Sequence, residues 1–106
     1  MFIEELSEED QAAKFEEEVG RAKEARAILE SPLFTGAVDA MKQEVYRAWL
    51  VSDAKDTAGR ENLFKMQRAV EKLMQNLSKH IETGKLAEGG LALQAEKKSF
   101  LANLIK

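Results

Sequence analysis

Residues 63–80 read LFKMQRAVEKLMQNLSKH, and in them Leu63, Met66, Val70, Leu73, Leu77 and His80 recur three and four positions apart. That is the period of an α-helix with one apolar seam, at the spacing of helices that pack lengthwise. Phe64, Met74 and Ile81 flank the seam. The pattern predicts a long helix from Thr57 or Ala58 to Thr83, ended by Gly84 through the usual C-terminal glycine. At a rise of about 1.5 Å per residue it would be roughly 40 Å long.

Upstream lies Ser52-Asp53-Ala54-Lys55-Asp56-Thr57-Ala58-Gly59, rich in residues that cap helices and reverse direction, so the long helix is expected to form an antiparallel hairpin with the segment before it. That segment, Leu33 to Val51, has its own apolar face of Phe34, Val38, Met41, Val45, Ala48 and Trp49, widened by Tyr46 and Leu50. It would be only roughly 28 Å long. Either the first helix continues past Pro32 to match the longer partner, or another copy of the chain covers the overhang.

At the N-terminal side, Ser7 followed by Glu8, Glu9 and Asp10 reads as a helix cap with acids in the first turn, where they complement the helix dipole. Phe15, Val19, Ala22, Ala25, Ile28 and Leu29 mark a narrow stripe of mostly small residues, so the early turns are expected to be loosely held. Ser31-Pro32 predicts a kink or a restart, because proline disfavours helical geometry just before it and suits the first turn of a new helix. At the other end Gly89-Gly90 suits a hinge. The tail beyond it places Leu93, Phe100, Leu101, Leu104 and Ile105 on one apolar face, with Lys97, Lys98 and Lys106 supplying charge. Phe100, Leu101, Leu104 and Ile105 are the candidate docking residues, onto the chain's own hairpin or onto a partner.

The expected fold is therefore all-α: an antiparallel helical hairpin with a kinked N-terminal helix and a short C-terminal amphipathic helix, forming an oligomer. Its expected parts are one domain over 1–106, comprising an acidic arm (1–20), a kinked helix (21–52), the long helix (57–84) and a tail helix (91–106). The self-association seam would comprise Leu63, Met66, Val70, Leu73 and Leu77 facing Phe34, Val38, Met41, Val45 and Trp49.

Composition agrees. A chain of 106 residues makes one domain with a modest core unless it associates. With 44% hydrophobic and 33% charged residues, it has enough apolar side chains to build a packed face rather than remain disordered. Cysteine is absent, which removes disulfides, thiolate metal sites and cysteine nucleophiles and fits a reducing compartment. The chain opens Met1-Phe2-Ile3 and turns acidic, without a basic leader or a membrane-spanning apolar run, so neither export nor insertion is expected. The net charge of -3 hides an asymmetry: residues 1–20 hold eight acids and one base, a net of -7, which leaves +4 on the rest. Such an arm is suited to lie against a basic surface of its own fold, a sister copy or a partner, or to serve as a solvated tail.

No catalytic constellation emerges, and no enzyme activity, metal, cofactor or small-molecule substrate is expected. The single histidine, His80, falls on the seam and reads as a partly buried helical residue. Glu16-Glu17-Glu18 point three ways around a helix, and Asp53 and Asp56 belong to a capping turn. Thr83-Gly84-Lys85 lacks the upstream glycine of a phosphate-binding loop. The loop from Asp53 to Glu61 lacks the ligand series of a calcium-binding loop. One surface pattern stands out. Lys65, Arg68, Lys72 and Lys79 are three, four and seven apart, share a helix face, and could track the phosphates of a nucleic acid. The alternative is a solvated or internally paired face, with Glu61 placed four residues before Lys65.

Two stretches, Ala48-Trp49 through Asp56-Thr57-Ala58-Gly59-Arg60-Glu61 to Leu63-Phe64, and Glu82-Thr83-Gly84-Lys85-Leu86-Ala87, carry a resemblance together with Pro32-Leu33-Phe34. Over roughly residues 30–88 the chain resembles a loose group of short helical proteins of tailed bacteriophages and prophages, encoded near head and DNA-packaging genes. The resemblance implies a role in virion assembly or packaging, with small terminase subunits and small scaffolding proteins as the nearest analogies. It implies a location in the host cytoplasm or the virion, and a phage structural or packaging protein as partner. No N-terminal DNA-reading helix-turn-helix accompanies it. Three roles follow as expectations: a self-associating assembly protein, a nucleic-acid-binding module that recognises DNA for packaging, and a small adaptor that binds a host protein through its tail.

Overall fold

The computed structural model describes residues 7–105, which form three helices: α1 (Glu8–Glu30), α2 (Pro32–Val51) and α3 (Thr57–Ile105). Glu4 and Glu5 of the acidic arm, and Lys106 of the tail, lie outside the described residues. The chain divides into two compact units. One is Ala27–Ser78 and the other joins Met1–Arg26 to Lys79–Lys106.

The helix starts follow the local signals in the sequence. The Ser7 hydroxyl accepts from the Asp10 amide at 3.0 Å, so α1 opens with a side-chain cap and with Glu8, Glu9 and Asp10 in its first turn. α1 ends at Glu30 and α2 restarts two residues later, with Ser31 between them in an extended conformation (φ -69°, ψ 119°). Its hydroxyl accepts from the Phe34 amide at 3.4 Å, and Pro32, which has no amide proton to satisfy, occupies the first turn. At the reversal, Ser52 closes α2 by donating its amide and its hydroxyl to the Trp49 carbonyl at 3.2 and 2.7 Å. Asp56 then caps α3, its carboxylate accepting from the Gly59 amide at 3.0 Å.

In the unit Ala27–Ser78, α2 packs antiparallel to the first part of α3. The Arg60 guanidinium stacks over the Trp49 ring, 3.7 Å from its centroid, and donates to the Ser52 hydroxyl at 3.4 Å. Val38 and Val70 are the buried side chains of this unit, with Phe34, Val45, Leu63, Met74 and Leu77 half-buried around them. The expected hairpin is present.

In the other unit α1 runs antiparallel to the last part of α3. Glu8 meets Lys97, Phe15 meets Gly90 and Ala22 meets Gly84, so fourteen residues along α1 correspond to thirteen back along α3. This pairing corrects three expectations. Gly84 does not end the long helix, Gly89-Gly90 is not a hinge, and residues 91–105 are not a separate tail helix: α3 runs unbroken for 49 residues. The physical reason lies in what the glycines touch. A terminating glycine adopts positive φ, and among the described residues no glycine does so. A Cβ added at Gly84 would overlap the Cβ of Ala22 and stand 3.3 Å from the Glu18 carbonyl oxygen. One at Gly90 would stand 2.6 Å from the Phe15 ring. These glycines are where α1 comes close, and the packing against Ala22, Ala25 and Ala87, all buried, outweighs the roughly 1 kcal/mol that a glycine costs inside a helix.

The length mismatch read from the sequence is thereby resolved within the chain. α2 covers the first part of α3, α1 the last part. The early turns of α1 are tied down by the Lys97 ammonium, 2.9 Å from Glu8 Oε1, and by the Gln94 side-chain amide donating to the Glu8 carbonyl at 3.3 Å.

Candidate functional site

The candidate sites are surfaces, and each is built from what the helices leave uncovered. On α3 the buried and half-buried positions of the hairpin unit include the row Leu63, Gln67, Val70, Met74 and Leu77, with Gly59, Arg60 and Glu71 half-buried beside it. The predicted seam shares Leu63, Val70 and Leu77 with this row and differs at every second member. Gln67 and Met74 stand inside where Met66 and Leu73 were expected, and Ile81 is half-buried whereas His80 is exposed. The inner row is rotated by one residue, about 100°, at those positions. The expected partly buried His80 is thus corrected to an exposed one.

The rotation splits the predicted seam residues into two groups. Phe34, Val38, Val45, Leu63, Val70 and Leu77 are taken up by packing. Met41, Met66 and Leu73 stay 49–52% exposed. By helical position these three share one side of the hairpin with the exposed Ala37 and Ala69, and Glu44 stands at the rim. The opposite side is a groove of about 520 Å³ lined by Val45, Tyr46, Trp49, Leu63 and Phe64, with Lys42, Gln43 and Gln67 on its walls. Trp49, expected in the seam, sits here instead, with one face covered by Arg60.

All four residues of the basic row, Lys65, Arg68, Lys72 and Lys79, are exposed on α3. Lys65 lies 3.9 Å from Glu61 and Arg68 3.6 Å from Glu71, both pairs largely in solvent and so worth little to stability. The acidic arm engages elsewhere. Glu8 binds Lys97, and the ammonium holds that carboxyl below its ordinary value, first by the hydrogen bond and then by its charge. Arg21 pairs with Glu17 within α1.

Comparison with family models, curated proteins and solved structures finds no match. The surfaces themselves therefore carry the functional argument. Among the described residues, no three or more His, Cys, Asp or Glu side chains gather as a metal site would require, and no helix is long and apolar enough to cross a membrane. The tail residues Phe100, Leu101, Leu104 and Ile105 are exposed at the end of α3. Sequence reasoning missed Leu86, which is 78% exposed on the same helix, because an expected hinge at Gly89-Gly90 separated it from them.

Proposed function

We propose that the chain is a non-enzymatic helical assembly protein that works as an oligomer of itself. Its surface carries this reading. Among the described residues the buried apolar side chains are Ala22, Ala25, Val38, Val70 and Ala87, none larger than valine, while fifteen larger apolar residues stand exposed. Apolar surface on that scale favours association, and the side of the hairpin with Met41, Met66 and Leu73 offers a nearly uncharged strip for it. A setting in phage head assembly or DNA packaging is supported by the resemblance of residues around 30–88. Sedimentation equilibrium at micromolar concentration tests the proposal. An oligomer is expected, and a stable monomer would overturn it. Leu73→Asp, at a half-exposed position, should lower the mass while leaving the helical circular dichroism in place. Val70→Asp, which buries a charge, should unfold the chain.

A second reading, recognition of DNA for packaging, is favoured by the exposure of all four basic residues along α3. Binding should then weaken steeply with salt and fall at least tenfold in Arg68→Glu/Lys72→Glu. Affinity unchanged in that variant removes the row from consideration. The adaptor reading rests on the exposed Phe100, Leu101, Leu104 and Ile105 alone.

A further inference from the structure

The C-terminal part of α3 carries two apolar rows. The inner one, Gly84, Ala87 and Leu91, is occupied by α1. The outer one is Leu86, Leu93, Phe100 and Leu104, spaced seven, seven and four, which at about 100° per residue keeps all four within a narrow strip turned away from Gly84 and Ala87. These side chains are 63–78% exposed. The row is complete only because α3 is continuous, since a break at Gly89-Gly90 would have parted Leu86 from the other three. Large side chains at heptad spacing are what helices use to pack lengthwise, and left in water they favour association.

We infer that the same row of a second copy covers this one, with the two α3 helices side by side and parallel. The assignment builds on self-association and names its contact. One observation selects a sister chain as occupant: the edges of the row are unlike in charge. Glu82 and Glu96 follow one edge and Lys79 and Lys97 the other, all exposed, with Lys85 farther round on the acidic side. A parallel two-fold pair sets the acidic edge of each copy against the basic edge of the other, whereas an antiparallel pair sets like against like. Lys97 remains within reach of Glu8 while facing this edge.

The absence of cysteine makes a direct test clean. Full-length Leu86→Cys and Phe100→Cys, each oxidised alone under mild conditions, should form disulfide-linked dimers at least tenfold faster than Lys72→Cys, an exposed control on the hairpin unit. Leu93→Glu should reduce the sedimenting mass and retain helical circular dichroism, because the residue is exposed in the single chain. Linking no faster than the control, while the unmodified protein still sediments as an oligomer, would overturn this contact and leave self-association standing. Dimers formed only when Leu86→Cys and Phe100→Cys are mixed would overturn the parallel arrangement. A monomeric unmodified protein would overturn both proposals.

Discussion

Gly84 and Gly89 are the same residue type in the same helix, yet opposite consequences follow from mutating them. A Cβ at Gly89 meets nothing within 4 Å, so Gly89→Ala adds helix propensity without a clash and should stabilise by about 1 kcal/mol. For a domain of this size that raises the melting temperature by roughly 4–8 °C. At Gly84 the added methyl overlaps Ala22 and presses on the α1 backbone at Glu18, and overpacking of that kind costs about 1–3 kcal/mol. Gly84→Ala should therefore lower the melting temperature despite its better propensity. Thermal unfolding of the two variants compares them directly, and a Gly84→Ala protein as stable as Gly89→Ala would mean that α1 does not approach α3 as described. Nothing in the structure explains why Gly89 is glycine. Residue chemistry alone made Gly84 look like a stop, because propensity is local and the contact that reverses it comes from a residue 62 positions earlier, Ala22.

At the level of elements, caps and turns were legible because their partners lie within four residues: Ser7 with Asp10, Ser31 with Phe34, Asp56 with Gly59. The unbroken course of α3 is legible too, in the seven-residue step of its inner positions. Leu63, Val70 and Leu77 are seven apart, and the same step lands on Gly84 and then Leu91, so the column of inner positions passes through the glycine. The small residues of α1 make a weak stripe by sequence, whereas Ala22 is small because Gly84 faces it, and Ala25 beside it is buried too. The start of α1 depends on a different contact. The Glu8 carboxyl is held below its ordinary value of 4.5 by Lys97, so it binds fewer protons folded than unfolded. The contact therefore stabilises fully above that ordinary value and is lost as pH falls through the lowered one. Proton titration of Glu8 by NMR should show a midpoint below 4.5 that returns to the ordinary value in Lys97→Ala, with faster amide exchange in the first turns of α1 at acid pH. An identical midpoint in the two proteins would remove the ion pair in solution.

For the whole molecule the decisive quantity is how little large apolar area the chain buries by itself. Val38 and Val70 form the buried centre of one unit, and Ala22, Ala25 and Ala87 that of the other. Cores of alanine and valine supply much less transfer free energy than cores of leucine and phenylalanine, at about 25 cal/mol per Å² of apolar area. The leucines and phenylalanines of this chain stand mostly on its surface, at Leu86, Leu93, Phe64 and Phe100 among others. If sister chains cover them, folding and association are linked, and stability becomes a function of protein concentration. Raising the concentration a hundredfold should then raise the melting temperature by several degrees, and Leu93→Glu should weaken that dependence across the same range. For a dimer that unfolds to separate chains, each tenfold in concentration adds about 1.4 kcal/mol to the folded assembly, well above the error of a melting curve. A melting temperature of the unmodified protein that ignores concentration would place all the stability within one chain, leaving the exposed rows to a partner of another kind.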